Sequence, residues 1–263
     1  MSAAVSSLLS SGLAASVWRG VDLGHAGAPV LRSGWERLDA ELPGGGWPCG
    51  SLTELLVPRG ALLEWRLLGT ALRAALRAGG LLVLVGPPAV PYLPGLQEQG
   101  IDPGRLVWVR SRDAGQSLWA AEQVLRAGGA AALLVWLPAS RAEALRRLHA
   151  HAQEGRALVF ALRPEQARAE ASPAPLRVQA RPGEPWELRV RLLKRRGPAH
   201  EQELRLDSRP GALARALVEA PEASGACVTP CGQGDEAPGG AGRRVPGKEH
   251  GDAVGRVAGL RLA

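Results

Sequence analysis

Between residues 50 and 163, five short apolar runs alternate with segments of helical period: Leu52–Val57, Leu81–Val85, Leu106–Val109, Ala132–Leu137 and Ala157–Leu162. Each run reads as apolar on both faces, which suits a central strand of a parallel sheet covered by helices on both sides. In the first intervening segment Leu63, Leu67, Ala71 and Ala74 share one stripe. Glu64, Arg66, Arg73 and Arg77 lie largely off it, and Gly79-Gly80 ends it. Asp113 and Gln116 have capping-box spacing ahead of Leu118, Ala121 and Leu125, and Gly128-Gly129 stops that helix. Ser140-Arg-Ala-Glu143 reads as a second capping box, leading Leu145 and Leu148 toward Gly155. Such alternation predicts an α/β fold with a mainly parallel sheet and right-handed crossovers. After residue 172, Leu176–Ala180, Trp186–Leu193 and Glu201–Leu206 alternate between turn residues, predicting a C-terminal antiparallel extension with one solvated face.

The first strand has a notable setting. Pro43–Gly50 is a tight Gly/Pro segment leading into Leu52–Val57, and a helix follows from about Ala61. Strand, loop and helix in that order form the frame of a phosphate-binding loop. A working loop follows its strand with Gly, four residues, then Gly-Lys-Ser/Thr, so that backbone N–H groups and one ammonium face the phosphates. Read without gaps, Val57 and Leu62 stand where the two glycines belong, Leu63 replaces the lysine, and Glu64 replaces the metal-binding hydroxyl residue. A carboxylate there repels a triphosphate.

Composition narrows the classes. A chain of 263 residues, 46% hydrophobic, can bury one substantial core with appendages. It contains no run of 18 or more apolar residues, which predicts no membrane span. Met1–Ser16 has no basic residue ahead of its apolar part and makes a poor secretory signal. Three cysteines (Cys49, Cys227 and Cys231) are too few for a disulfide framework, so a reducing cytoplasm is expected. The formal charge of +7 rests almost entirely on arginine, with lysine only at 194 and 248. In so Ala-, Gly- and Pro-rich a chain, that charge says less about nucleic acid than it would in a lysine-rich one, and leaves DNA binding open. Residues 1–33 read as a leader, 34–207 as the folded domain, and 208–263 as a low-complexity, largely disordered tail.

The order of these pieces resembles the RecA ATPase core over about residues 30–207. The echoes are Gly-Gly-Gly-Trp-Pro-Cys-Gly (44–50), Leu-x-x-x-Gly-Ile-Asp-Pro-x-Arg-Leu (96–106), the helix opening at Asp113-Ala-Gly115, Ala-Ser-Pro-Ala-Pro-Leu-Arg-Val (171–178) and Val-Arg-Leu-Leu-Lys-Arg-Arg-Gly-Pro (190–198). More closely, the chain resembles the ImuA family, RecA-like accessory proteins of bacterial error-prone translesion synthesis, often annotated beside the division inhibitor SulA. That resemblance rests on Leu-Asp-Ala-Glu-Leu-Pro-Gly-Gly-Gly-Trp-Pro-x-Gly (38–50), Thr-Glu-Leu-Leu (53–56), Pro-Tyr-x-Pro-x-Leu (91–96), Leu-Trp-Ala-Ala-Glu-Gln (118–123) and Leu-Leu-Lys-Arg-Arg-Gly (192–197). It implies a RecA-like P-loop NTPase core and association with an ImuB-type protein, a DnaE-type polymerase and RecA itself. Single-stranded DNA stays open as a further partner.

Two further departures set the chain apart from active enzymes of that resemblance. Trp136 stands where the strand should end on a metal-shell aspartate, and Gly86-Pro87-Pro88-Ala89 occupies the place of the water-activating carboxylate. Phosphoryl transfer depends on a positioned metal and on charge stabilisation. The expectation is a pseudo-ATPase with no cofactor. A SulA-like division inhibitor and a RecA-like ATPase with a divergent phosphate loop remain the alternatives.

The remaining sites follow from charge and aromatics. Lys194-Arg195-Arg196 reads as a solvated hairpin tip. Through the RecA resemblance, Lys194 and Arg196 match two lysines that reach a neighbouring subunit's nucleotide. Trp18 beside Arg19 is a candidate contact anchor in the leader. Trp119 and Trp136 read as core, while Trp47 and Trp65 flank the defunct loop and would plug the vacated space. His149 and His151 read as surface residues. Cys227, Cys231 and His250 fall short of the roughly four ligands a zinc site needs.

Overall fold

The computed structural model describes residues 29–199 and 202–210. Strand β1 (Val30–Leu31) is followed by a short helix, α1 (Glu36–Glu41), and pairs antiparallel with β2 (Trp47–Pro48). Gly46 permits that pairing, because a Cβ there would lie 2.5 Å from the Leu31 carbonyl oxygen. The chain continues through β3 (Ser51–Val57), α2 (Glu64–Ala78), β4 (Leu81–Val85), α3 (Leu93–Glu98) and β5 (Leu106–Val109). Next come α4 (Ala114–Ala127), β6 (Ala130–Trp136), α5 (Ala142–Gln153), β7 (Leu158–Pro164), β8 (Leu176–Pro182), β9 (Glu187–Lys194) and β10 (Glu203–Asp207).

Strands β3 to β10 form one mixed sheet of eight, ordered β10-β9-β8-β3-β7-β6-β4-β5. All pairings among β3 to β8 are parallel; β9 and β10 join antiparallel. This α/β arrangement is compatible with a RecA-like core. The sequence reading assigned Leu176–Ala180 to the antiparallel extension. That strand instead runs parallel beside β3, and only β9 and β10 extend the sheet antiparallel. Its alternation misleads because its outer-face residues Arg177 and Gln179 are buried polar groups, not solvated ones.

Two apolar layers follow from the period of two along each strand. On one face Leu55, Leu84, Leu134 and Phe160 meet Leu67, Leu68, Ala71 and Leu72 of α2. On the other face Leu52, Val85, Val135 and Val159 meet Leu118 and Ala121 of α4 and Leu145 and Leu148 of α5. Helix α2 buries Leu72, Ala75 and Leu76 where the predicted stripe placed Ala74, which is half-buried. Arg105 bonds the Leu76 and Gly80 carbonyls and so closes its end. Trp47 is fully buried, edge-on to Phe160 at 5.4 Å.

Cap chemistry explains one success and one miss. The Asp113 side chain accepts from the Gln116 N–H at 2.9 Å, as the spacing predicts. The α5 cap is Arg141, one residue beyond the expected Ser140, and it makes no side-chain cap bond. With Arg141 as the cap, Glu143 stands one position too early to close a box, and the Ser140 carbonyl accepts from Arg163 at 3.2 Å. Trp119 is 55% exposed, correcting its assignment to the core. Helix α4 turns Ser117, Leu118 and Ala121 inward, and the next residue after Leu118 is rotated out by about 100°.

The interior also holds charge that the apolar reading of β3 passed over. Glu54 is fully buried. It takes Arg163 Nη1 of β7 at 2.7 Å and Arg177 Nε of β8 at 2.6 Å. Arg163 continues to Glu170 at 2.7 Å, and Arg177 to the Ala167 carbonyl at 2.8 Å. Removing one member of such a set strands the others without water, whereas replacing the whole set with apolar groups is often neutral. Glu54→Ala is therefore expected to cost about 3–5 kcal/mol in denaturant unfolding. Glu54→Leu combined with Arg163→Met and Arg177→Met should recover most of that loss. A triple variant less stable than the single one would show that this charge set does more than satisfy itself.

Candidate functional site

Parallel strands leave a crevice at their carboxyl ends, where α/β folds place ligands. Here it lies between the start of α2 and the loop after β4. A cavity of about 140 Å³ is lined by Leu62, Glu64, Trp65, Pro87, Pro88, Ala89, Val90, Pro91, Tyr92 and Trp136. The expected loop residues fall around it unequally. Val57 ends β3 and is buried in the core, as is Leu63, which caps α2. Leu62 is half-exposed on the cavity rim, and Glu64 is the first residue of α2 at 2% exposure. The turn between strand and helix, residues 58–63, holds a single glycine, Gly60 at φ +77°, and closes with the Ala61 N–H on the Pro58 carbonyl at 3.1 Å.

The glycine-rich run lies elsewhere. Residues 44–50 precede β3 and sit at its amino end, where Gly50, at φ +62°, abuts the Gly155 carbonyl. Those glycines serve the β1–β2 pairing and the approach to α5, so they cannot face a ligand in the crevice. Trp136 ends β6 and Pro87-Pro88 leaves β4, both facing the cavity as their order suggests. Trp65 lines it too, but Trp47 belongs to the core and does not plug this space. Across the 86–92 loop a second hollow of about 280 Å³ is lined by Trp108, Arg110 and Ser111, with the Arg110 guanidinium 5.6 Å from the Trp108 ring centre.

Glu64 is the chemically unusual member. Burial raises its pKa, and a bond from its own backbone N–H only partly opposes this. Among the described residues, no lysine, arginine or histidine lines the cavity. The arrangement therefore offers aromatic faces and one desolvated carboxyl, the opposite of what holds a phosphate.

The cationic turn follows β9. Lys194 is exposed and donates to the Ser172 carbonyl at 3.0 Å. Arg195 is not part of a free tip: its guanidinium meets Glu41 of α1 at 2.9 Å and the Pro198 carbonyl at 2.7 Å. Arg196 is exposed. Both outer cations act on His149, which corrects its reading as a surface residue. It is half-buried, and its Nδ1 accepts the Leu52 N–H at 3.2 Å. Burial first, then Arg196 and Lys194, hold its pKa below the ordinary histidine value.

Among known proteins, the chain is 34% identical over 156 residues to the protein ImuA of Caulobacter vibrioides, in strains NA1000 and ATCC 19089 alike. The match covers 55% of this chain and 62% of each relative. The chain is ImuA-like. It spans less than two thirds of the length of the curated relatives it matches. A second similarity, to the cell division inhibitor SulA of Edwardsiella piscicida, is 32% over 76 residues, 29% of this chain and 45% of that protein. No protein-family model matches.

In this ImuA-like chain, no described helix is long and apolar enough to cross a membrane. Among the described residues no group of three or more His, Cys, Asp or Glu is placed to hold a metal. Trp18, Arg19, Cys227, Cys231 and His250 lie outside the described residues, as do most of the leader and tail. The residues that sequence reading missed are Glu54, Arg163 and Arg177. Their signal in the sequence was Glu54, a carboxylate within the run Leu52–Val57.

Glu64 sets a pH dependence. A carboxyl with a folded pKa above its unfolded one favours folding in its protonated form. That contribution is present below the ordinary glutamate range and is lost as pH rises through the raised value. Glu64→Gln should therefore gain stability relative to the parent chain as pH is taken from about 4 to about 8. Thermal unfolding at a series of pH values reads this directly. A difference that stays flat or narrows would mean Glu64 ionises without penalty.

Proposed function

We propose that this chain is a non-catalytic, RecA-like adaptor in SOS-linked error-prone translesion DNA synthesis, bringing RecA to a polymerase assembly of the ImuB and DnaE type. The observation carrying this reading is the chemistry of the crevice. Where nucleotide hydrolysis needs backbone donors, an ammonium and a metal-binding hydroxyl, the chain presents Leu63, the buried Glu64, Trp136 and a proline-rich loop. The cavity of about 140 Å³ is also smaller than the roughly 300 Å³ at which small-molecule sites begin. Similarity to ImuA over about half of the chain supports the cellular setting.

The physical logic is that an α/β core of this kind keeps association surfaces without the switch that nucleotide turnover would drive. Lys194 and Arg196 are the cations this reading assigns to RecA, donated across an interface to a nucleotide held by the neighbour. The SulA similarity favours a second reading, inhibition of the tubulin-type division protein, for which overproduction should make cells filament.

Three measurements test the proposal. The purified chain should show no magnesium-dependent ATP binding in the micromolar range, and tight binding would favour an active enzyme. Deletion of the gene should abolish most damage-induced mutagenesis, and normal induced mutagenesis would refute the adaptor role. Lys194→Ala with Arg196→Ala should weaken association with ATP-loaded RecA by at least about tenfold, since each charged hydrogen bond to phosphate is worth about 1.5–3 kcal/mol and about 1.4 kcal/mol is a factor of ten. Unchanged association would remove the contribution in trans.

A further inference from the structure

We infer that the cavity between α2 and the 86–92 loop is a receptor for a cationic side chain, an arginine or lysine offered by a partner protein. Its walls include three aromatic residues, Trp65, Tyr92 and Trp136, together with Glu64, a residue only 2% exposed. Aromatic faces attract a guanidinium or ammonium, most strongly where water is excluded. A carboxylate in the same space gives that cation its counter-charge. None of the lining residues is basic, so among the described residues no cation of the chain already lines this space.

Size and rim agree with a side chain in place of a free metabolite. About 140 Å³ accommodates the end of one arginine or lysine and little more. Around the opening, Leu62, Val90 and Tyr92 are 50%, 72% and 74% exposed. An exposed apolar ring around a desolvated charge has the plan of an interface hot spot. The partner's surface would cover the ring and keep water from the central contact. Charge complementarity thus selects a basic residue set in an apolar patch of the partner. The inference rests on the reading above in one respect, that the cavity takes no nucleotide.

The test uses the full chain and N-acetyl-arginine methylamide as probe, followed through the indole N–H resonances of Trp65 and Trp136. The expected result is saturable shifts in the millimolar range, with the neutral citrulline counterpart at least about tenfold weaker. Glu64→Gln should abolish the preference for arginine over citrulline. Trp136→Leu should weaken arginine binding while leaving the carboxyl in place, and it serves if the first variant misfolds. Equal response to arginine and citrulline would overturn the inference, as would no response to arginine at about 50 mM. Shifts of the same indoles by magnesium-ATP at micromolar concentration would overturn both this inference and the nucleotide-free reading. Silence toward every probe would remove only the cation receptor.

Discussion

One carboxylate shared between two guanidinium groups holds the middle of this sheet together. Glu54 lies on β3, and its partners come from the two strands flanking it, Arg163 on β7 and Arg177 on β8. Apolar side chains alone tolerate slippage, because one leucine packs much like another. A charge set does not: moving β3 by one residue would turn Glu54 to the opposite, apolar face and leave two buried arginines unmatched. The same arginines reach Glu170 and the Ala167 carbonyl, so they also hold down the short helical segment after β7. The carboxyl end of β3, from which the crevice opens, is therefore anchored from both sides.

The crevice keeps the position of a ligand site while reversing its electrostatic sense. In a phosphate loop, the first turn of the helix presents N–H groups and positive charge to an anion. Here the same first turn presents Glu64 in a nearly dry setting, and the opposite wall is proline and tryptophan. Prolines 87, 88 and 91 contribute no N–H donors, so the loop after β4 has little to offer a phosphate oxygen. Val57, Leu63 and Leu67 share one core cluster, so strand, turn and helix are held in this geometry by packing.

Local pattern made much of the architecture legible. Strands β4 and β5 fall where the apolar runs place them, and Asp113 caps α4 as its spacing predicts. The failures share a cause. Arg177, Gln179 and Glu54 are polar residues buried by tertiary pairing, which a period-of-two reading assigns to solvent or ignores. Trp119 reads as core from its place within an apolar pattern, yet helical phase turns it outward. For the crevice, the sequence identified Leu62, Glu64, Trp65 and Trp136 from their order along the chain. The same order puts the glycine run ahead of β3 and so at its amino end, but not against Gly155, which only the fold brings beside Gly50. It also reads Lys194, Arg195 and Arg196 together as a solvated tip, since only the fold brings Glu41 beside the middle one.

That difference among the three cations bears on how the turn would meet an anionic partner. Arg195 is tied to a residue 154 positions away in the chain and to a carbonyl within its own loop. The backbone carrying Arg196 is thus already restrained before any encounter, and less conformational freedom is left to surrender on docking. The central arginine acts as a mount for its neighbours, fastening the turn that carries them to α1.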